Sequence, residues 1–362
     1  MSPRFHTLTV REVRRETPEA ISIAFDVPPA LKDDYRFAPG QHVTLRARIG
    51  GEECRRSYSI CSGLDDGELR VAVKTVAGGR FSTFANRDLR PGDPLDVMTP
   101  MGRFTVPLDP GATRTYLAVA AGSGITPILS IIKTVLAREP RSRALLLYGN
   151  RTTGSILFKG ELEDLKDRYL GRLTVLHVLS RETLDVPLLS GRIDAAKLGT
   201  VLKRVLPARS IDHAFLCGPY GLIEEARAAL EARGLPPERV HVELFTPTDD
   251  AHRPAGALGA HPADAAGADH TAEAELVLGG RRHRLGLLAG ETIIEAAHRA
   301  GIEAPYSCKG GMCCTCRARL VEGEVAMAAN YSLEPWELAA GFVLTCQARA
   351  VSDRVVVDYD AT

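Results

Sequence analysis

At 362 residues the chain is too long for one ordinary hydrophobic core, and its length predicts two or three domains. Its composition is that of a globular protein, with 45% hydrophobic and 25% charged residues. The 45 basic residues balance 45 acidic ones, which argues against a nucleic-acid-binding protein or a polybasic membrane-surface protein. Eight cysteines are too few for a disulfide scaffold of this size, yet five of them lie in the last 55 residues.

No segment of the sequence predicts membrane insertion. The first residues carry charges throughout and have no apolar signal region. A charge-free stretch, 115–132, is long enough to span a bilayer, but Gly122, Gly124 and Pro127 interrupt it. These breakers favour a buried strand, a turn and a helix, so we expect a cytoplasmic protein that uses no membrane and keeps its thiols reduced.

The hydrophobic pattern divides the chain into three domains and a linker. Residues 1–107 alternate in short segments such as HTLTVREV and AISIAFDV, which predicts an antiparallel β-barrel. Residues 108–246 alternate apolar strands with helices, which predicts a doubly wound parallel α/β sheet. Residues 247–271 are small and polar and predict a flexible linker. Residues 272–362 predict two strands (AELVL and HRLGL), a helix near 292–300 and a cysteine-rich loop.

The cysteine-rich loop has the spacing of a metal centre. Cys308, Cys313, Cys316 and Cys346 follow the pattern C-x4-C-x2-C-x29-C, the plant-type [2Fe–2S] spacing. Zinc sites normally present two close pairs of ligands. Cys314 is left over. A C-x5-C-x1-C alternative would use it as a ligand, but the first spacing fits better and we expect its side chain to point away.

The second domain carries glycine turns where strands end. Gly122, Gly124, Thr126 and Pro127 lie between a strand and a helix, where Thr126 could cap the helix and its N-terminus could bind phosphate. A tight turn without a ligand is the alternative. Further along the chain, a strand that ends in Cys217, Gly218 and Pro219 is expected to face the same crevice. The last strand before the linker ends in Glu243 and Phe245, where the aromatic ring could instead belong to the core.

The first domain offers groups suited to a flat ring and a pyrophosphate. Arg56, Ser57, Tyr58 and Ser59 combine a guanidinium, an aromatic face and hydroxyls. A second segment leads into a helix; its glycines let the backbone approach a phosphate closely, and its hydroxyl groups can hydrogen-bond to the phosphate. The residues of this segment are Val73, Lys74, Gly78, Gly79, Ser82 and Thr83. The alternative for the first segment is a surface tyrosine beside an ion-paired arginine, with no bound ligand.

These motifs occur in the order found in the ferredoxin–NADP reductase superfamily, which the chain resembles from about residue 5 to 246. The tail resembles a plant-type ferredoxin. The resemblance implies an FAD-binding barrel, an NAD(P)-binding α/β domain and an α+β ferredoxin domain of β-grasp type. It also implies a [2Fe–2S] cluster on the four spaced cysteines.

The resemblance further implies roles for matching positions. Arg56 would hold the FAD pyrophosphate, Tyr58 would flank the isoalloxazine and Ser59 would lie near flavin N5. Cys217 would lie beside the nicotinamide, and Glu243 and Phe245 match the terminal acid–x–aromatic of the family. Ser59, Cys217 and Glu243 are therefore the expected catalytic residues.

The coenzyme is expected to be NADPH, with NADH disfavoured. An NAD site often has an acidic residue at the end of the second strand. Here that strand is followed by Arg151, and Ser180 and Arg181 resemble the family's 2′-phosphate clamp. An exposed surface arginine is the alternative for Arg181.

Longer stretches, including RFAPGQHVTLR, LLLYGNRTTGSILFKGELEDLKDRY and ANYSLEPWELAAGFVLTCQAR, resemble the reductase subunits of phenylacetyl-CoA epoxidases. That resemblance implies electron transfer from NADPH through FAD and the cluster to an external di-iron oxygenase of phenylacetate degradation. A ring- or steroid-hydroxylating oxygenase is the alternative acceptor. A redox-sensing module is a third reading, but no added DNA-binding or effector segment supports it.

Overall fold

The computed structural model describes residues 3–245 and 272–361. The predicted linker, 247–271, lies outside the described residues. The chain forms two compact units. The larger contains two sheets, one from each of the first two predicted domains, and the smaller contains the cysteine-rich tail.

The first sheet of the larger unit is antiparallel and has the strand order β4-β3-β6-β1-β2-β5. Beyond the end of β4, Ile60 bridges Val71 of β5 and so brings the two edge strands together as a barrel. Inward apolar side chains fill the interior, among them Val10, Ile23 and Val97. The elements of this domain are β1 (Phe5–Thr17), β2 (Ala20–Asp26), β3 (His42–Ile49), β4 (Glu52–Ser59), β5 (Leu69–Lys74), α1 (Arg80–Arg87) and β6 (Pro94–Met98).

The second sheet is parallel, with the order β11-β10-β7-β8-β9. The order reverses between β7 and β10, and ligands bind beyond the carboxyl ends of strands at such a switch point. The elements are β7 (Thr115–Ala121), α2 (Ile125–Arg138), β8 (Arg143–Asn150), α3 (Lys159–Arg168), β9 (Leu173–Leu179), α4 (Ala195–Arg204), β10 (His213–Gly218), α5 (Tyr220–Glu231) and β11 (Val240–Leu244).

Helix α2 joins the two domains of the larger unit. Ser130 donates a hydrogen bond of 2.7 Å to the Ser62 carbonyl oxygen, and the Leu64 N–H donates one of 3.2 Å to Thr134 Oγ1. Because these bonds connect the barrel loop to the helix that follows the GSGITP turn, the barrel and the parallel sheet hold each other in place.

The smaller unit has a mixed sheet with the order β13-β12-β18-β14-β16 and a separate two-stranded ribbon of β15 and β17. Thr292 and Glu295 form a capping box that starts helix α6 against the sheet. The elements are β12 (Ala272–Leu278), β13 (Arg281–Leu287), α6 (Ile293–Arg299), β14 (Arg317–Glu322), β15 (Val325–Met327), α7 (Pro335–Ala339), β16 (Phe342–Leu344), β17 (Ala348–Ala350) and β18 (Arg354–Asp358).

The predicted fold class is confirmed: an antiparallel sheet, a parallel sheet and a mixed sheet follow one another along the chain. The two strands and the helix predicted for the tail are present, but the sequence interpretation missed β14 to β18, most of which are only three to five residues long. Within the described residues, no helix is long and apolar enough to cross a membrane.

Candidate functional site

The glycine turn after β7 packs directly on the end of β10. A Cβ atom on Gly124 would lie 2.2 Å from the Cys217 carbonyl oxygen, so only glycine allows this approach. Paired residues of the two strands, such as Cys217 and Ala120, bring both carboxyl ends to the same edge of the sheet. The two sequence motifs, GSGITP and CGP, therefore meet at the switch point.

The turn itself is held by side chains that the sequence did not single out. Gly122 adopts φ +53° with open space where a Cβ would be, and its carbonyl accepts a hydrogen bond of 2.9 Å from Tyr148 Oη. The prediction that Thr126 caps α2 is wrong. Gly124 is the N-cap residue, and Thr126 lies inside the first turn, where its hydroxyl donates to the Ser123 carbonyl at 3.0 Å.

Ser59, Cys217 and Glu243 come together although they are distant in the sequence. Ser59 donates a hydrogen bond of 3.0 Å to Glu243 Oε2, which joins the end of β4 to the end of β11. Glu243 pairs with Cys217 in the parallel ladder. Burial raises the pKa of Glu243 to about 7, against the lowering effect of the Ser59 hydroxyl, although part of the Glu243 surface remains exposed. Burial, and then the Glu243 charge, keep the pKa of the Cys217 thiol well above its usual value.

Strand β4 presents Tyr58 half-buried against the barrel core. Its ring lies 5.6 Å from that of Phe81 at an angle of 39°. Arg56 is exposed, and its Nη1 donates to the backbone carbonyl of Arg55 at 2.7 Å, while Ser57 lies between Arg56 and Tyr58 on the same strand. Phe245, just beyond β11, is partly buried against the core that contains Cys217.

The segment before α1 forms a turn open on one side. Gly78 has φ +70° and no atom within 4 Å of a built Cβ, so its backbone is accessible. The Ser82 hydroxyl accepts from the Val76 N–H at 3.1 Å and donates to the Gly79 carbonyl at 3.2 Å. Ser82 is buried and its donor proton is used within the turn, which differs from the expected role as a phosphate donor. Val73 is fully buried and offers only its backbone, whereas Lys74 and Thr83 are half-buried.

Two arginines lie side by side beyond the ends of β8 and β9. The Arg181 N–H donates to the Arg151 carbonyl at 2.8 Å, which extends the strand pairing beyond the strands. Both arginines and Ser180 are exposed, and within the described residues neither guanidinium makes a side-chain hydrogen bond or ion pair. A guanidinium fork matches phosphate geometry, so this edge fits a phosphorylated ribose.

The four spaced cysteines pair two by two. A hydrogen bond from Cys313, assisted by backbone N–H groups, lowers the pKa of Cys308 to about 5 despite its burial. Cys316 and Cys346 form the second hydrogen-bonded pair, which lowers the pKa of Cys346. Within the described residues, no three cysteine, histidine or carboxylate side chains lie close enough together to hold a metal ion. Paired thiols and backbone N–H groups aimed at sulfur fit a binuclear iron–sulfur cluster.

Two neighbours of these cysteines complete the loop. Cys314, with φ +51°, directs its thiol to Ser332 Oγ at 3.0 Å, and burial raises the pKa of Cys314 to about 12. Ser307 is 4% exposed, and its hydroxyl has no hydrogen-bond partner within the described part of the chain. A buried hydroxyl without a hydrogen-bond partner, next to Cys308, fits a polar group bound in this loop.

Comparison with known families assigns a type to each domain. The model described as Oxidoreductase FAD-binding domain matches residues 7–106, that described as Oxidoreductase NAD-binding domain matches 118–228, and that described as 2Fe-2S iron-sulfur cluster binding domain matches 280–351. The chain is 47% identical over 359 residues to a subunit of the 1,2-phenylacetyl-CoA epoxidase of Escherichia coli, covering 99% of this chain and 98% of that protein. The chain belongs to the family of oxygenase reductase components.

Other relatives carry similar descriptions. The reductase is 34% identical to the ferredoxin reductase component of the 3-ketosteroid-9-alpha-monooxygenase of Rhodococcus rhodochrous, covering 97% of this chain and 96% of that protein. The solved structure of phthalate dioxygenase reductase matches with 25% identity and a TM-score of 0.60, covering 98% of both chains. The reductase is therefore an NAD(P)H-dependent flavin and iron–sulfur oxidoreductase that transfers electrons.

Several residues that shape these sites were missed in the sequence interpretation. Tyr148 and Ser332 act through hydrogen bonds to residues distant in the chain, so no local motif marks them. Glu182 follows Arg181 directly and contacts Thr153. The sequence does show an acidic residue, Glu182, beside the proposed phosphate clamp, but only the structure identifies Thr153 as its hydrogen-bond partner.

Proposed function

We propose that the reductase oxidises NADPH in the cytoplasm and passes the electrons, through FAD and a [2Fe–2S] cluster, to the di-iron oxygenase of a phenylacetyl-CoA epoxidase system. The observation that carries this proposal is the full-length identity of 47% with a subunit of such an enzyme. We further propose that residues 1–107, 108–246 and 272–362 are the functional domains, with 247–271 as their linker. When bound, FAD accepts a hydride and releases single electrons, the form that an iron–sulfur cluster takes.

The barrel would hold the flavin. Arg56 lies on β4 and is exposed, so its guanidinium can turn toward a pyrophosphate. Tyr58 is half-buried with its ring 5.6 Å from that of Phe81, and it would flank a flat ring system. The open turn at Gly78, with Gly79 and the half-buried Thr83, would receive the phosphates, while Ser82 keeps that turn in shape.

The switch point would orient the nicotinamide. Gly124 packs on the Cys217 carbonyl, and Cys217 pairs with Glu243, whose carboxylate accepts a hydrogen bond from Ser59. Gly122 would line the pyrophosphate side, where the buried Thr126 and Pro127 shape the turn, and Gly218 and Pro219 would lie on the opposite side. Glu243, with its pKa of about 7, would be about half protonated at neutral pH, and its Oε2, which accepts the Ser59 hydrogen bond, would position Ser59 beside the reacting ring.

NADPH is the proposed coenzyme because Arg151 and Arg181 are adjacent and exposed at one edge of the sheet. Each charge-assisted hydrogen bond to a 2′-phosphate contributes roughly 1.5–3 kcal/mol. We expect kcat/KM for NADPH to exceed that for NADH by about tenfold or more on this basis. Steady-state rates with both coenzymes test this, and a clear preference for NADH would contradict the clamp.

Reconstitution tests the acceptor. The holoenzyme is combined with the oxygenase components of a phenylacetyl-CoA epoxidase and, separately, with a 3-ketosteroid hydroxylase, and substrate oxidation per NADPH is measured. We expect coupled turnover with the epoxidase and at least tenfold slower turnover with the hydroxylase. The second acceptor is the alternative because reductase components of 3-ketosteroid monooxygenases are 34–37% identical to this chain over nearly its full length. Faster coupled turnover with the hydroxylase would overturn the proposed acceptor.

A further inference from the structure

The two loops that follow β8 and β9 are connected twice. The first connection is through the backbone, where the Arg181 N–H donates to the Arg151 carbonyl at 2.8 Å and the Ser180 N–H to the Asn150 carbonyl at 2.9 Å. Adjacent parallel strands lie about 4.8 Å apart, so the two arginines emerge from the sheet as neighbours.

The second connection is made by a carboxylate. Both oxygens of Glu182 accept hydrogen bonds from Thr153, Oε1 from the backbone N–H at 2.7 Å and Oε2 from the hydroxyl at 2.7 Å. Thr153 begins the short 3-10 turn Thr153–Ser155, which has its own capping box at Thr152. Glu182 is therefore bound to a loop that is itself held in shape.

Within the described residues, the Glu182 carboxylate hydrogen-bonds to Thr153 and forms no ion pair with the neighbouring arginines. It follows Arg181 directly in the chain, and a free carboxylate beside two arginines would form the bidentate pairs that guanidinium groups favour. Within the described residues it pairs with neither arginine, since both of its oxygens are taken by Thr153. These hydrogen bonds also lower the pKa of Glu182, so the side chain remains charged at neutral pH.

We propose that Thr153 is a specificity-determining residue, which holds the Glu182 carboxylate away from Arg151 and Arg181 and so keeps both guanidinium groups available to the 2′-phosphate of the coenzyme. This rests on the proposed preference for NADPH. Without the threonine hydroxyl, Glu182 Oε2 loses its partner and competes with the phosphate for the arginines. NADH, which has a 2′-hydroxyl in place of the phosphate, gains nothing from the free guanidinium groups.

Thr153→Val tests the proposal because it removes the hydroxyl and keeps the shape of the side chain. Binding of 2′,5′-ADP and of 5′-ADP to the holoenzyme is measured by calorimetry, alongside KM for NADPH and NADH. An exposed competing ion pair weakens binding by up to about fivefold. We expect 2′,5′-ADP binding to weaken about three- to fivefold and 5′-ADP binding and KM for NADH to stay within about 1.5-fold.

The second variant separates competition from a loss of loop structure. In Thr153→Val/Glu182→Gln the competing charge is gone, so 2′,5′-ADP binding should return to the wild-type value. Thr174→Val makes the same chemical change at an exposed position on β9 and should alter neither ligand.

Three results would overturn the inference. The first is wild-type affinity for 2′,5′-ADP in Thr153→Val, and the second is a loss that Glu182→Gln does not restore. The third is an equal loss of 5′-ADP binding, which would show that Thr153 only supports the loop. The wild-type enzyme tests the proposed function separately. If it binds 2′,5′-ADP no more tightly than 5′-ADP, the NADPH preference itself is wrong, and the role of Thr153 in specificity falls with it.

Discussion

The cysteine loop and the proposed nicotinamide site are assembled in opposite ways. Three of the four spaced cysteines, Cys308, Cys313 and Cys316, lie within nine residues of one loop. In the proposed nicotinamide site, Ser59 and Glu243 are 184 positions apart and meet only because two domains pack together. A site made from one loop is sensitive chiefly to the loss of its own side chains. A site made from distant strands is also sensitive to changes that shift the packing of its backbone.

The largest expected effect is the loss of a cluster ligand. In Cys316→Ser we expect iron to be lost and NADPH-dependent reduction of cytochrome c to fall more than about 100-fold, because the cluster requires four thiolates. Reduction of ferricyanide, which can take electrons from the flavin directly, should stay within about twofold, since the proposed flavin and nicotinamide sites lie outside the cysteine loop. Iron analysis and the two acceptor assays measure this.

Cys314→Ser is the matched control for that variant. Serine at this position retains a donor for Ser332 Oγ, so iron content and both activities should remain close to those of the wild type. Loss of iron in the control, or an equal fall of both activities in Cys316→Ser, would show that the two sites are not independent.

The second largest expected effect is at the proposed nicotinamide site, where a substitution adds a single methyl group. Gly124→Ala would place its Cβ 2.2 Å from the Cys217 carbonyl oxygen. Overpacking of this kind destabilises by about 3 kcal/mol, and the displaced turn should raise KM for NADPH about tenfold. Thermal unfolding and steady-state kinetics measure the two effects.

Gly221→Ala is the control for Gly124→Ala. Gly221 lies in the first turn of α5 near the same end of the sheet, but no atom lies within 4 Å of a built Cβ. Alanine is the better helix former, so we expect unchanged or slightly higher stability and an unchanged KM. An equal effect of both substitutions would contradict the close packing of Gly124 on Cys217.

The smallest effect is a shift in pH dependence. Burial raises the pKa of Glu243 to about 7, and the Ser59 hydroxyl opposes this by donating to the carboxylate. Ser59→Ala removes that donor, so the protonated form is favoured further and the pKa rises. The pH midpoint of flavin reduction by NADPH should move about one unit to higher pH. The titration should disappear in Glu243→Gln; a midpoint that moves to lower pH in Ser59→Ala would refute this assignment.

The sequence was most informative where chemistry and structure are local. The cysteine spacing and the strand-ending glycines could be interpreted without a structure because each lies in one contiguous segment. Side-chain hydrogen bonds were harder to anticipate. Thr126 turns back to the Ser123 carbonyl because a 3-10 turn starts the helix earlier than its sequence indicates, and Ser82 serves its own loop.

The short strands of the tail show a second limit. Strands β15, β16 and β17 have three residues each, which is too few for an alternating pattern to stand out. They form because other strands supply their hydrogen bonds. The pairing of Thr153 with Glu182 depends in the same way on two loops that are 29 residues apart and become neighbours only through the parallel sheet.

Anaerobic stopped-flow spectroscopy of the holoenzyme mixed with NADPH tests whether electrons pass from flavin to cluster. We expect flavin absorbance to decrease first and cluster absorbance second, both at least as fast as turnover with the oxygenase. A cluster that stays oxidised while the oxygenase forms product would contradict this expectation, because the electrons would then bypass the cysteine loop.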